Sequence, residues 1–541
     1  MMPDSTRPNL EGELFDVVVI GGGINGVAIA RECAKAAKRV LVIEQNDLAS
    51  GTTSRSTRVI HGGLRYLEHG ELSLVRESLR ERQRLLAESG NLIRPLHFIL
   101  AIPPGSKRSA LEIRFGLWLY RRFAKQPPTD RDGELAQFER YLDKGKPWSL
   151  FSFDDAQCEY PERLIAEWLH ATTSQGVEVR NHAEALEVIK SDGFVTGVRV
   201  RDKLTGAEYT VEADWVVNAT GPWADFVCQR SNIVTDDPLV GGVRGSHIVL
   251  PSFEAGPKSA IYTEAVDGRP IFVVPWADQL LVGTTEVSDD RNPDYVTPAP
   301  DEIDYLLRSF NRLFPALPIG RTDIRAAFAG VRPLPYIAEQ SPSSITRRHF
   351  LIDHKDDGAQ RMISIIGGKL TTAVSLAREV ARAIGINVLE PKGFALAEPP
   401  DDTAGLSTIY REMVEFSRIP MASVKAVVSL FGPFAVTVFN TIQQDDSHRR
   451  TLCPHTDHVV GEAVYAVRRE FAITLGDILL RRVPVALGPC WSDKCTRMAA
   501  ERIGAALHWA SGEIAHQIHN FEEEYSRFYV RPELKPLNTR H

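Results

Sequence analysis

Phe15-Asp-Val-Val-Val-Ile-Gly-Gly-Gly-Ile-Asn-Gly26 decides the fold. Residues 15–20 are a short apolar, β-branched run that reads as a buried strand. The glycines then fit G-x-G-x-x-G, and 25–37 carries a helical pattern. Gly21 permits the tight turn, Gly23 lets the backbone approach a pyrophosphate, and Gly26 allows close helix–strand packing. Ile24 and Asn25 open a helix whose N-terminus favours phosphate. A second strand, 39–44, ends on Glu44, about twenty residues on, where a carboxylate binds ribose hydroxyls. This β-turn-α-β unit starts a doubly wound sheet and favours FAD or NAD over NADP.

Outward from that unit, residues 70–88 predict an amphipathic helix through Leu72, Val75, Leu79 and Leu86. Short strands are expected between 177 and 217, parted by Ser191-Asp-Gly and Leu204-Thr-Gly. Trp215-Val-Val-Asn-Ala-Thr-Gly221 reads as a further buried strand. An Ala-Thr-Gly element there, after a strand-rich insert, fits FAD enzymes of the two-dinucleotide-fold type better than a compact NAD dehydrogenase. Glu398-Pro-Pro-Asp-Asp marks a linker, and helices such as 461–482 and 496–510 are expected beyond it. The expected architecture is α/β (α+β). A Rossmann-like FAD region with an interleaved mixed-sheet substrate domain (about 80–160 and 240–345) spans 1–395, and a helical domain spans 403–541.

With 541 residues, two or three domains are expected. Hydrophobic residues make up 43% and charged residues 25%, which suits a globular chain and not a disordered one. A net charge of −7 argues against nucleic acid as the main partner. Six cysteines are too few for a disulfide framework and point to a reducing compartment. Cys453, His455 and His458 resemble part of a metal site, but no second ligand pair stands at zinc spacing. They are read as surface loop residues, and no metal is predicted. Residues 1–15 show neither a signal nor a transit pattern. The apolar stretch 426–444 is broken at Gly432-Pro433, so buried helices are expected and no transmembrane segment.

Ile60-His-Gly-Gly-Leu-Arg-Tyr-Leu-Glu-His, Gly245-Ser-His-Ile, Gly283-Thr-Thr, Gly330-Val-Arg-Pro and Gly367-Gly-Lys-Leu-Thr-Thr occur in this order. Together they resemble the aerobic, FAD-dependent glycerol-3-phosphate dehydrogenase family in its bacterial form. The resemblance covers about 15–375 and extends more loosely into the helical tail. It implies oxidation of sn-glycerol 3-phosphate to dihydroxyacetone phosphate by hydride transfer from C2 to non-covalent FAD, with electrons passed to membrane quinone.

A phosphate dianion bearing a secondary alcohol needs cations, and Arg65, Arg332, Arg347 and Lys369 are the candidates. His247 is the first choice to accept the hydroxyl proton, on the unperturbed imidazole pKa of ~6.5. Arg332 or Lys369 stays open as the group that stabilises the developing alkoxide. Tyr66 is expected to line the same pocket. Around the flavin the resemblance places His61, Gly62 and Gly63, and on the pyrophosphate side Thr53 and Ser54. Gly221 belongs to the covering strand. Gly368, Leu370 and Thr371 lead a further helix N-terminus toward the flavin.

Ser106–Lys125 interleaves Lys107, Arg108, Arg114, Arg121, Arg122 and Lys125 with Leu111, Phe115, Trp118, Leu119 and Phe123. That is the composition of an interfacial helix on an anionic membrane surface, and it predicts a peripheral protein on the cytoplasmic side of the cell membrane. A homodimer is carried as a candidate assembly. Three alternatives remain: an oxygen-using glycerol-3-phosphate oxidase, an amine oxidase of the same fold, and a flavin sensor without turnover.

Overall fold

The computed structural model describes residues 7–67, 70–106, 108–125, 132–143, 145, 147–253, 258–289, 291–338, 340, 345–389 and 403–529. The linker expected at 398–402 lies outside them.

Two sheets and a helical domain make up the molecule. The apolar run Leu14–Ile20 pairs in parallel with Val40–Ile43 and with Glu208–Asn218. Val177–Arg180 extends this sheet beside Val40–Ile43, and Met362–Ile366 extends it beside Glu208–Asn218. Leu14–Ile20 is buried from Phe15 to Ile20 except at Asp16, as a central parallel strand covered on both faces must be. Helix Ile24–Lys35 crosses one face, against Ala373–Ala383 and Pro161–Thr172.

Among the described residues, the second sheet has nine strands drawn from well-separated parts of the chain. Val59–Ile60, Ile93–Ile102 and Ser149–Cys158 come before the central strand Glu208–Asn218, and Val240–Pro251 to Ala326–Pro335 come after it. The long pairing of Val240–Pro251 with Ala326–Pro335 sets its register: Val243 faces Arg332, Gly245 faces Gly330 and His247 faces Phe328. Side chains alternate along a strand, so Arg332, Gly330, Gly245 and His247 share one face.

Helices from Thr403–Ser417 to Ser511–Phe528 form the C-terminal domain. The single helix expected over 461–482 is two. Val460–Arg469 ends at Phe471, whose φ is +61°. Asp477 then accepts hydrogen bonds from Ile473 N and Thr474 N and starts a new, π-type segment, Asp477–Arg482. A side-chain cap thus wins over an apolar period that runs on unbroken. The helix expected over 496–510 runs earlier, Asp493–Ala506, and Ser511–Phe528 follows it.

Among the described residues, Met421–Gln443 is long and apolar enough to cross a membrane by composition, and 44% of its most apolar window is buried. It is two helices parted at Gly432–Phe434, and Val424, Val427, Phe431, Val438 and Ile442 sit in the domain's core.

Fully buried ions fasten this domain to the first sheet. Arg482 Nη1 and Nη2 donate to Asp47 at 2.6 and 2.8 Å, and Arg481 Nε donates to the same carboxylate. Arg163 makes a fork with Glu470, two contacts of 2.6 Å. Removing one partner of such a pair strands the other charge out of water. Arg482→Ala should therefore lower folding stability by about 3–5 kcal/mol. Breaking the half-exposed Arg321–Asp304 pair as Arg321→Ala should cost under about 1 kcal/mol. Urea midpoints of the two variants check the contrast, and equal midpoints would show that Asp47 is not held as described.

Candidate active site

A cavity of about 810 Å³ runs between the two sheets and the C-terminal domain. Its nucleotide wall is built by backbone that leaves no room for side chains. Gly21 has φ +111°, and a Cβ there would stand 2.6 Å from the Ala219 carbonyl oxygen. At Gly26 a Cβ would stand 2.0 Å from the Gly21 oxygen, so helix and strand touch through bare backbone. Gly26 itself is packing and is not on the wall.

Ile24 N donates to Thr53 Oγ1 at 3.1 Å, so Thr53 caps the helix and keeps its own O–H to give. Asn25 Nδ2 donates to Gly367 O at 3.1 Å, which ties the first Gly-rich turn to the last. Asn25 Oδ1 is buried without a hydrogen-bond partner among the described residues. Glu44 accepts from Gly22 N at 2.7 Å and from Asn46 N at 2.9 Å. Burial still raises its pKa, although both N–H groups oppose the shift.

Gly23, His61, Gly63, Gly221, Gly368 and Leu370 also reach the wall. Three sequence expectations do not. Ser54 is buried and gives its hydroxyl to Ala49 O, so it holds a loop and not a phosphate. Gly62 lies behind the wall, where its N–H donates to Asp155 at 3.1 Å and a Cβ would strike Leu79 and Tyr120. Thr371 is buried, with its hydroxyl 3.4 Å from His61 O. Arg65 lies in the turn Leu64–Leu67, and its side chain falls outside the description.

Arg332, His247 and Lys369 reach the same cavity. Glycines on neighbouring strands make the space for two of them. A Cβ on Gly245 would stand 2.5 Å from Arg332 Nη2, and one on Gly283 would stand 2.2 Å from the His247 ring. Arg332 is aimed by Thr284 Oγ1 at 2.8 Å and Thr285 O at 3.2 Å. Lys369 Nζ lies 3.9 Å from the Tyr66 ring centroid. Arg347 reaches the cavity with its charge met by Glu286 at 2.6 Å.

His247 is buried, stacked on Phe328 at 5.1 Å, with Nε2 2.9 Å from Thr57 Oγ1. Burial first, then the charges of Arg332 and Arg58, pull its pKa down to about 3. The unperturbed value expected from sequence does not hold, and the imidazole is neutral at physiological pH. In the tautomer whose Nε2–H donates to Thr57, Nδ1 is an acceptor, and it has no partner among the described residues.

Sequence reading missed Arg55 and Thr57, both in the cavity. Gly330 is the signal for Arg55, because a Cβ at 330 would stand 2.8 Å from Arg55 Cβ. It also missed the wall formed by Arg481, Phe521 and Glu524 from the C-terminal domain.

Comparisons with known proteins follow the same outline. Residues 16–382 match the family model for FAD dependent oxidoreductase, and 363–514 match the C-terminal domain of alpha-glycerophosphate oxidase. A glycerol-3-phosphate dehydrogenase of Synechocystis is 36% identical, over 89% of this chain and 90% of its own length. An aerobic glycerol-3-phosphate dehydrogenase of Staphylococcus aureus is 28% identical over 88% of each. In fold, the chain is similar to the glycerol-3-phosphate dehydrogenase from Bacillus halodurans complexed with FAD. The TM-score is 0.75 at 22% identity, covering 98% of this chain and 97% of that one. The L-alpha-glycerophosphate oxidase from Mycoplasma pneumoniae shares the fold at a TM-score of 0.52 and 18% identity, covering 70% and 97%.

A histidine held neutral by the fold leaves a signature in stability. Its folded pKa of about 3 lies below the ordinary imidazole value, so the unfolded chain takes up the proton first as pH falls. Stability is complete above pH ~6.5 and is lost from there down to the folded value, at up to about 1.4 kcal/mol per unit. His247→Asn should flatten this slope between about pH 6 and 4. Unfolding midpoints across that range check it, and parallel slopes would mean the imidazole is already charged in the fold.

Proposed function

Because the chain belongs to the FAD-dependent glycerol-3-phosphate dehydrogenase family, we propose that it oxidises sn-glycerol 3-phosphate to dihydroxyacetone phosphate and delivers the electrons to a membrane quinone. FAD is its cofactor, and the cradle of Gly21, Gly23, Asn25, Thr53 and Glu44 suits its diphosphate and ribose. When bound, FAD supplies the acceptor for the C2 hydride.

One observation carries the substrate reading: Arg332, Arg55, His247 and Lys369 share one cavity, with the first three seated where neighbouring glycines leave room. A dianionic phosphate needs more than one cation, whereas an amino-acid carboxylate is satisfied by a single arginine fork. Neutral His247 lines this cavity and can accept a hydrogen bond from the C2 hydroxyl through its unprotonated ring nitrogen. Arg332, beside it, favours the oxygen as negative charge grows there. The imidazole thus orients the hydroxyl, and the guanidinium supplies the electrostatic stabilisation.

Anaerobic titration with glycerol 3-phosphate should bleach the visible flavin band, and glycerol should not at equal concentration. Arg332→Ala should lower kcat/KM for glycerol 3-phosphate by about tenfold or more, the loss of roughly 1.5–3 kcal/mol. If glycerol oxidation falls by the same factor, Arg332 serves only the reacting hydroxyl. Peroxide formed per turnover, set against quinone reduced, separates the quinone route from the oxygen route.

The quinone route needs a membrane contact, and helix Ala110–Ala124 supports one. Its inner face, Leu117, Tyr120 and Ala124, is buried. Its outer stripe is Leu111, Phe115 and Trp118, 76%, 64% and 59% exposed, with Phe115 and Trp118 stacked at 5.8 Å. Arg114, Arg122 and Lys125 stand exposed on the same helix or at its cap. Arg108 and Arg121 are occupied, by Glu264 and by Ser152 O at 2.8 Å, and Lys107 lies outside the described residues. Apolar aromatics ringed by cations suit the headgroup layer of an anionic leaflet, each cation adding about 1 kcal/mol near the surface. This makes the protein peripheral on the cytoplasmic face.

Arg114, Arg122 and Lys125 replaced together by Glu should release the protein from phosphatidylserine vesicles and lower quinone activity. Activity with a water-soluble dye should stay unchanged. Vesicle binding that survives the triple change would remove this helix as the anchor.

A further inference from the structure

A second cluster of reactive side chains lies in the C-terminal domain, away from the cavity. The loop closed by Leu452 N to His458 O at 2.8 Å presents Cys453 and His455. The connection before helix Asp493–Ala506 presents Cys490, and the first turn of that helix presents Cys495. The ligand atoms of Cys453, His455 and Cys495 all lie within 4.8 Å of one another. Cys495 Sγ stands 3.6 Å from His455 Nδ1. Cys490 stands beside this group, with its Sγ 3.9 Å from His455 O and its own carbonyl 3.7 Å from Cys495 Sγ.

We propose that Cys453, His455, Cys490 and Cys495 form a structural zinc site that clamps the 452–458 loop to the start of helix Asp493–Ala506. A tetrahedral ion with Zn–S of ~2.3 Å and Zn–N of ~2.05 Å sets sulfur and nitrogen about 3.6 Å apart. That is the Cys495–His455 separation found here. His458, the third residue of the sequence motif, is not a ligand: its Nδ1 pairs with Glu462 at 2.8 Å. Cys495 takes its place from 40 residues beyond His455, which is why spacing alone hid the site.

Chemistry favours an ion over three free thiols. Cys453 and Cys495 are buried, with their sulfurs within reach of each other and of the His455 ring. A divalent ion takes three thiolates and one imidazole, and the three thiol protons leave to solvent, so charge and atoms balance. Cys495 sits in the first turn of a helix capped by Ser492, so the start of that helix fixes its position. Three sulfurs and one nitrogen select zinc over the harder divalent ions, and four protein ligands leave no open position, as in structural sites.

The holoenzyme, purified without chelator, should carry about one zinc per chain by plasma mass spectrometry. A mercurial should release that zinc into a chromogenic chelator. Cys453→Ser and Cys495→Ser should lose it, and Cys490→Ala should hold it at least tenfold more weakly. Should these variants fail to fold, the wild type still decides. Stripping with a chelator under reducing conditions should lower the thermal midpoint, and zinc alone should restore it, with the flavin content unchanged.

Zinc below one-tenth per chain after growth in zinc-supplemented medium, with no midpoint shift on adding zinc to reduced protein, overturns the proposal. So does a thiol count under denaturation that shows a Cys490–Cys495 or Cys453–Cys495 disulfide in protein alkylated at lysis.

Discussion

Asp47 is the residue on which the two halves of the molecule turn. Its carboxylate is fully buried three residues after Glu44, and it is met by Arg481, Arg482 and Asn181. A carboxylate out of water is tolerable only when every lone pair is used, so the arrangement is all-or-none. Arg481 passes the constraint on, to Asp477 at 3.0 Å and Glu524 at 2.5 Å. Burial raises the Asp477 pKa, but His182, Arg481 and Arg482 outweigh it, so the carboxyl is held well below its usual range. The nucleotide strand, its neighbour and the last helix therefore share one charge network. This is how Phe521 and Glu524, nearly five hundred residues from the first turn, come to wall the same cavity.

A second constraint is the complement of small against large. Gly245, Gly283 and Gly330 sit on strands of the second sheet where β-branched residues pack best. Each costs strand stability. Each stands within 3 Å, by its absent Cβ, of Arg332, His247 or Arg55. The sheet accepts these weak positions because bulky polar groups fill them, and the groups in turn are fixed by close packing on both sides. The rigidity that catalysis by positioned charge requires is thus made from glycine next to arginine and histidine.

What was legible in the sequence follows from range. The G-x-G-x-x-G turn, Glu44 and the parallel strands were readable because strand period and turn chemistry are local. Motifs that pair across a sheet, such as Gly245 with Gly330, were readable only as a family pattern, since their partner lies 85 positions away. Ser54 was misread because a hydroxyl next to a binding loop serves the Ala49 carbonyl just as well. The break at Phe471 was missed because a side-chain cap at Asp477 leaves no trace in hydrophobic spacing. His247 was named as a candidate and its ionisation was not foreseen, because burial and a neighbouring guanidinium are tertiary facts. The cysteine group shows the same limit: Cys453 and His455 were visible as a pair, and the fold alone supplies Cys495.

Electron exit is the last step that the architecture must permit. Tyr120, on the buried face of helix Ala110–Ala124, donates to Asp155 at 2.5 Å. The same carboxylate oxygen accepts Gly62 N–H at 3.1 Å and an Arg82 N–H. Burial, the largest influence on Asp155, raises its pKa despite all three donors. Donors that converge on one buried oxygen hold their elements rigidly, because losing any one leaves the carboxylate under-solvated. The helix proposed to meet the membrane is therefore bolted to the loop that carries His61 and Gly63 into the cavity. An α-helix with its side chains is only about 10–12 Å across. One face of this helix touches the wall of the redox cavity while the other carries Phe115 and Trp118 in the open. On the proposed quinone route, a quinone in the cytoplasmic leaflet would meet this helix beside the wall of the cavity.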